Sequence, residues 1–132
     1  MKTQIPKEED EQAKVFRWAE YAASVYPDLD LLNGSMNGAK RSMYVANKCK
    51  KQGLKPGFPD ISLYVSRGGY HGLFIEMKRI KGGIVSKDQK RILKRLTESG
   101  YFACVCRGGD AAIDVIKNYI DGDYKREDQN GR

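Results

Sequence analysis

Apolar residues near the start of the chain recur at helical spacing. Val15, Trp18, Ala19, Ala22 and Val25 fall on one face of a helix over residues 8–26, which Pro27 stops. Residues 29–32 read as a short strand, and Asn33-Gly34-Ser35-Met36-Asn37-Gly38 has the Asn/Gly content of a loop. A second helix is expected over residues 42–52 with Gly53 at its end, followed by the stiff approach Lys55-Pro56-Gly57-Phe58-Pro59. The pattern then changes to two strand-like runs, residues 60–65 and 73–78, separated by Gly68-Gly69, which predicts an antiparallel hairpin. Beyond the break at Lys81-Gly82-Gly83, Ser86 opens a helix that runs through Glu98 and is closed by Gly100. Residues 101–106 form a third strong strand, and Gly108-Gly109-Asp110 leads into a last helix ending near Ile120. This order predicts an α/β fold with a mixed central sheet and helices on its faces.

With 132 residues the chain is the size of one ordinary domain. Residues 1–120 are read as that domain, and residues 121–132 as a polar tail with too little apolar surface to pack. No apolar run reaches bilayer length and residues 1–11 are too charged for a signal peptide, so no membrane partner and an intracellular location are expected. The cysteines Cys49, Cys104 and Cys106 suggest neither a disulfide framework nor a zinc site, and Cys104 and Cys106 should point the same way from a strand. A net charge of +7 favours a polyanionic partner without naming one.

The chemistry concentrates at one end of the predicted hairpin. In Glu76-Met77-Lys78 a period of two places Glu76 and Lys78 on one face and Met77 on the other. Asp60 begins the partner strand, so a favourable register brings its carboxylate beside Glu76. Two carboxylates suit Mg²⁺ or Mn²⁺, hard cations that share their shell with water and substrate phosphate, and Lys78 beside them would orient water or offset charge at phosphorus. The alternative is a same-face ion pair on an edge strand with an unrelated Asp60. Spacing alone leaves both open.

Pro59-Asp60 followed by Glu76-Met77-Lys78 resembles the signature of the PD-(D/E)XK nucleases. The wider run Lys55-Pro56-Gly57-Phe58-Pro59-Asp60, then Gly72-Leu73-Phe74-Ile75-Glu76-Met77-Lys78, then Ser86 and Gln89, with Met36-Asn37-Gly38 upstream, resembles the VRR-NUC family within that superfamily. Where that family often has proline before Asn-Gly, this chain has Met36. The resemblance implies a restriction-endonuclease-like fold and metal-dependent phosphodiester hydrolysis, with Asp60, Glu76 and Lys78 in catalytic positions; beside those carboxylates the Met77 carbonyl is a reasonable additional oxygen ligand for a hard cation. It also implies an acid on the first helix, Glu11 or, one turn earlier, Glu8, with Glu11 preferred; both lie in a charge run that suits a helix start. Gln89 matches the family's glutamine, yet Ser86-Lys87-Asp88-Gln89 is also a capping box.

Asn37, Lys40, Arg41, Lys55, Arg79 and Lys81 are the candidate phosphate contacts, joined by Lys90-Arg91 and Lys94-Arg95. His71 reads as a polar turn residue. The small members of the family are similar to homodimeric resolvases of branched DNA, so an endonuclease acting on four-way (Holliday) junctions is the leading expectation. A non-catalytic DNA-binding module with a nuclease fold, or a flap or RNA nuclease, is the alternative.

Overall fold

The computed structural model describes residues 4–35 and 43–127, with only the backbone of 43–46. The elements are α1 (Glu8–Ala22), a 3-10 turn (Pro27–Leu31), β1 (Leu32–Gly34), α2 (Met43–Lys51), β2 (Ile61–Leu63), β3 (Leu73–Lys78), α3 (Lys87–Glu98), β4 (Phe102–Arg107) and α4 (Gly109–Ile120). The strands form one sheet in the order β1-β2-β3-β4, antiparallel across the first two pairings and parallel between β3 and β4. The parallel pair requires a crossover, which α3 supplies. The mixed sheet expected from the sequence is thus present.

Alternation along β3 divides the sheet's two faces. Leu73, Ile75 and Met77 are fully buried and join Ile61 and Leu63 of β2, Val15 and Ala19 of α1, and Ala112, Ile116 and Tyr119 of α4 in one core. Phe74, Glu76 and Lys78 point to the opposite face, and Glu76 and Lys78 are nevertheless buried. Charged side chains of that kind are rarely enclosed without a partner or a task.

Three expectations change in the structure. The first helix ends at Ala22 rather than near Tyr26, and Val25 is exposed. Proline disfavours α conformation in the residue before it, and Tyr26 has φ −121° and ψ 82°. The strand expected at residues 29–32 is a 3-10 turn with Pro27 in its first positions, where the fixed φ and missing N–H of proline are tolerated; β1 starts only at Leu32. Finally, residues 121–127 are not loose. Tyr124 stacks on Phe102 with ring centroids 4.5 Å apart, and the Arg126 N–H donates to the Gly68 carbonyl at 2.7 Å.

The Gly68-Gly69 turn explains that docking. Both glycines have positive φ, at 61° and 89°, and Arg67 and Tyr70 exchange both main-chain hydrogen bonds across them. A Cβ on Gly68 would lie 1.9 Å from the Tyr124 carbonyl oxygen, so only glycine lets the C-terminal segment lie on the hairpin. Tyr124→Ala is therefore expected to lower unfolding stability by about 1–2 kcal/mol, less than for a fully buried aromatic. Urea denaturation reads this directly, and an unchanged midpoint would mean that the segment contributes nothing.

Candidate active site

The site begins where β2 stops. Pro59 has no N–H to donate to the ladder, and strand pairing starts at Ile61 opposite Ile75. One step further along that register, Asp60 stands opposite Glu76. Its Oδ2 accepts the Met77 N–H at 2.8 Å, taking a donor that the shortened strand leaves unpaired. Asp60 and Glu76 are 4% and 1% exposed.

A third carboxylate arrives from α1. Oxygens of Glu8, Asp60 and Glu76 all lie within 4.8 Å of one another. Glu11, the acid preferred from the sequence, is not in this group. One turn along the helix it lies against the start of α4, where its Oε2 would be 3.1 Å from a Cβ on Gly108, and that oxygen is buried without a hydrogen-bond partner. Residues three apart on a helix share roughly one side, yet the Glu8 carboxylate meets Asp60 and Glu76 while Glu11 lies against Gly108 and Gly109 at the start of α4.

Like charges in a dry place cannot all ionise. Burial, followed by the hydrogen bond to Asp60 and the charge of Asp60, pushes the Glu76 carboxyl up to about 9, against a weaker opposing pull from Lys78. Glu8 is also raised, first by burial and then by Asp60, again against Lys78. Lys78 Nζ lies 3.8 Å from Glu76 Oε2, too long for a hydrogen bond, and Glu76 Oε1 is buried with no partner. The simple ion pair considered from the sequence is therefore a poor description of this site. Three converging carboxylates, one of which has a buried oxygen without a partner, fit a hard divalent cation that would bring the missing positive charge.

The other candidates are more dispersed. Met77 buries its side chain in the core and gives its N–H to Asp60. Gln89 completes the capping box of α3, its Oε1 accepting the Ser86 N–H at 2.8 Å while Ser86 Oγ accepts the Gln89 N–H at 3.1 Å. Lys55, Arg79 and Lys81 are exposed, and Arg79 turns its Nε onto the Lys81 carbonyl at 3.0 Å. Asn37, Lys40 and Arg41 lie outside the described residues, as does the Met36-Asn37-Gly38 loop. The approach to Asp60 is fixed from α3: Gly57 has φ 95°, and a Cβ there would fall 2.8 Å from the Asp88 carbonyl group.

Arg107 was not among the residues singled out from the sequence. It pairs with Lys78 across β3 and β4 and donates to three carbonyl oxygens of the loop after β3. Strand period alone places it at a strand end; only the parallel register sets it beside Lys78.

A mixed sheet flanked by helices, with buried acids and a lysine at the end of its hairpin, defines a restriction-endonuclease-like α/β protein. The sequence model of the VRR-NUC domain matches residues 7–110, and the chain belongs to that family, which is a nuclease family. A solved structure described as a VRR_NUC domain protein is similar at 30% identity, covering 89% of this chain and 91% of that one with a TM-score of 0.73. No curated protein matches the chain.

Proposed function

We propose that this protein is a metal-dependent DNA endonuclease that hydrolyses phosphodiester bonds, with Asp60, Glu76 and Glu8 as the acidic ligands and Lys78 as the catalytic cation. The observation that carries the reading is the convergence of three carboxylates within 4.8 Å beside a buried lysine. Bound there, Mg²⁺ or Mn²⁺ would act as a Lewis acid on the phosphate and make water a better nucleophile. The Met77 carbonyl is a further candidate ligand.

The chain's own groups do the positioning. Asp60 is held in one orientation by the Met77 N–H, which fixes its carboxylate beside those of Glu76 and Glu8. Lys78, enclosed but without a strong ion pair, can direct its ammonium toward a phosphate oxygen as charge grows there. Gln89 is assigned a supporting role through the capping box that sets the start of α3.

Four-way junction DNA is the proposed substrate and a two-fold homodimer the proposed active form, since one small domain offers one cluster and a symmetric junction needs two coordinated cuts. Lys55, Arg79 and Lys81, with Asn37, Lys40 and Arg41, are the proposed phosphate contacts. An intracellular location suits this work; among the described residues no helix is long and apolar enough to cross a membrane.

Cleavage of labelled four-way junction, flap, single-stranded, RNA and plain duplex substrates tests the reading. Activity is expected with Mg²⁺ or Mn²⁺, none in chelator, and a preference for the junction, with sedimentation giving a dimer. Metal-independent cleavage would overturn the assignment of the acids as metal ligands. Tight binding without cleavage under any metal would favour the non-catalytic module, and equal cutting of duplex and junction would remove the structural preference.

A further inference from the structure

Residues 79–84 leave the end of β3 and are exposed throughout. Their carbonyl groups are nevertheless gathered inward. Arg107 Nη1 donates to the Arg79 carbonyl at 3.2 Å and the Gly82 carbonyl at 2.7 Å, and Nη2 donates to the Gly83 carbonyl at 3.2 Å. Arg79 folds its own Nε onto the Lys81 carbonyl at 3.0 Å.

The consequence follows from peptide geometry. In a trans peptide the C=O of one residue and the N–H of the next point to opposite sides, and no peptide bond described is cis. Turning the carbonyls of Lys81, Gly82 and Gly83 onto guanidinium groups therefore turns the N–H groups of Gly82, Gly83 and Ile84 away from them. None of these three N–H groups donates within the described main chain. Gly82 and Gly83 have φ 78° and 69°, a conformation other residues adopt only with strain, and neither carries a side chain to shield the donors.

The loop also lies against the catalytic lysine. A Cβ on Gly83 would be 3.6 Å from Lys78 Cδ, so an anion on these N–H groups would neighbour the Lys78 stem. Among the described residues none of Arg79, Lys81 and Arg107 has a carboxylate partner, which leaves the surroundings positive. Runs of free main-chain N–H groups in a positive field are sites for phosphate oxygens.

We infer that residues 79–84 form a main-chain cradle for a nucleic-acid phosphodiester adjoining the one attacked, and that Arg107 is the positioning residue that holds its donors outward. The inference rests on the nuclease reading for the identity of the anion, though not for the cradle itself. Arg107 touches no substrate in this role; its guanidinium is consumed by the three carbonyls.

Amide spectra of ¹⁵N-labelled protein titrated with inorganic phosphate and with a dinucleoside monophosphate test it. In the wild type the amides of Gly82, Gly83 and Ile84 should shift saturably with both anions, and in Arg107→Ala they should not. Arg107→Lys, which cannot span the same carbonyls, should be intermediate and serves if the alanine variant does not fold. Junction binding measured with Ca²⁺ should weaken about tenfold in Arg107→Ala while kcat stays within about threefold, the pattern of lost binding contacts. Silent loop amides in the wild type, or equal shifts in wild type and Arg107→Ala, would overturn the inference. Responsive amides in a protein that cuts no nucleic acid would instead overturn the nuclease reading and leave the cradle standing as an anion site.

Discussion

Glu76→Gln is expected to stabilise the metal-free protein at neutral and alkaline pH and to abolish cleavage. In the folded chain burial, then the hydrogen bond to Asp60 and its charge, raise the Glu76 carboxyl to about 9, while its ordinary value is 4.5. Between those values the folded state holds a proton that the unfolded chain has released. Stability therefore falls as pH rises through that window, and the penalty is complete only above the folded value. Glu8, raised by burial, adds to the slope in the same direction. An amide removes the ionisation and can donate toward Asp60, so the variant should be more stable by about 1–3 kcal/mol near pH 8, the scale of relieving a buried unsatisfied polar group. Thermal unfolding in chelator from about pH 5 to about pH 9 should show a declining wild-type midpoint and a flatter Glu76→Gln one. Added Mg²⁺ should raise the wild-type midpoint at the alkaline end with release of protons, because a cation selects the ionised acids, and should do little for the variant. A variant less stable than wild type at every pH would mean that Glu76 is ionised and well paired in the folded chain.

Lys78→Ala should lower kcat by about 10²–10³-fold, the usual effect of removing one group that stabilises transition-state charge. Its contact with Glu76, at 3.8 Å, is too long to be a strong ground-state interaction. Binding of junction DNA with Ca²⁺ should accordingly change by no more than about threefold. Asp60→Asn gives the complementary result. Its amide oxygen can still accept the Met77 N–H, so folding should survive, while one ligand charge is lost and both metal affinity and rate should fall. Single-turnover cleavage across a Mn²⁺ titration separates the two variants. Wild-type rates for Lys78→Ala, or normal metal affinity for Asp60→Asn, would return these residues to a structural role.

What the sequence determined by itself is whatever depends on short-range periodicity and local chemistry. Period two along Glu76-Met77-Lys78 placed the charged pair on one face, and Gly68-Gly69 marked the hairpin turn, whereas the register that sets Asp60 opposite Glu76 is one residue out of step with the Arg67–Tyr70 bridge at that turn and is decided by packing of the sheet. Ser86 and Gln89 announced the start of α3, and the spaced motifs carried the family resemblance that the VRR-NUC match over residues 7–110 supports. Other features depend on docking, which no local pattern encodes. Glu8 and Glu11 are equivalent in spacing and charge, and only the seating of α1 on the sheet and α4 sends one to the acidic cluster and the other to the start of α4. Tyr124 belongs to a polar stretch by composition, and packs against the core because Phe102 offers it a ring face and Gly68 leaves its backbone room. Arg107 is one more basic residue in the chain until the parallel register of β3 and β4 sets it beside Lys78, within reach of three carbonyl groups. Burial likewise turns the Glu76 carboxyl into a proton-holding group, because desolvation is a property of the assembled fold and not of the residue.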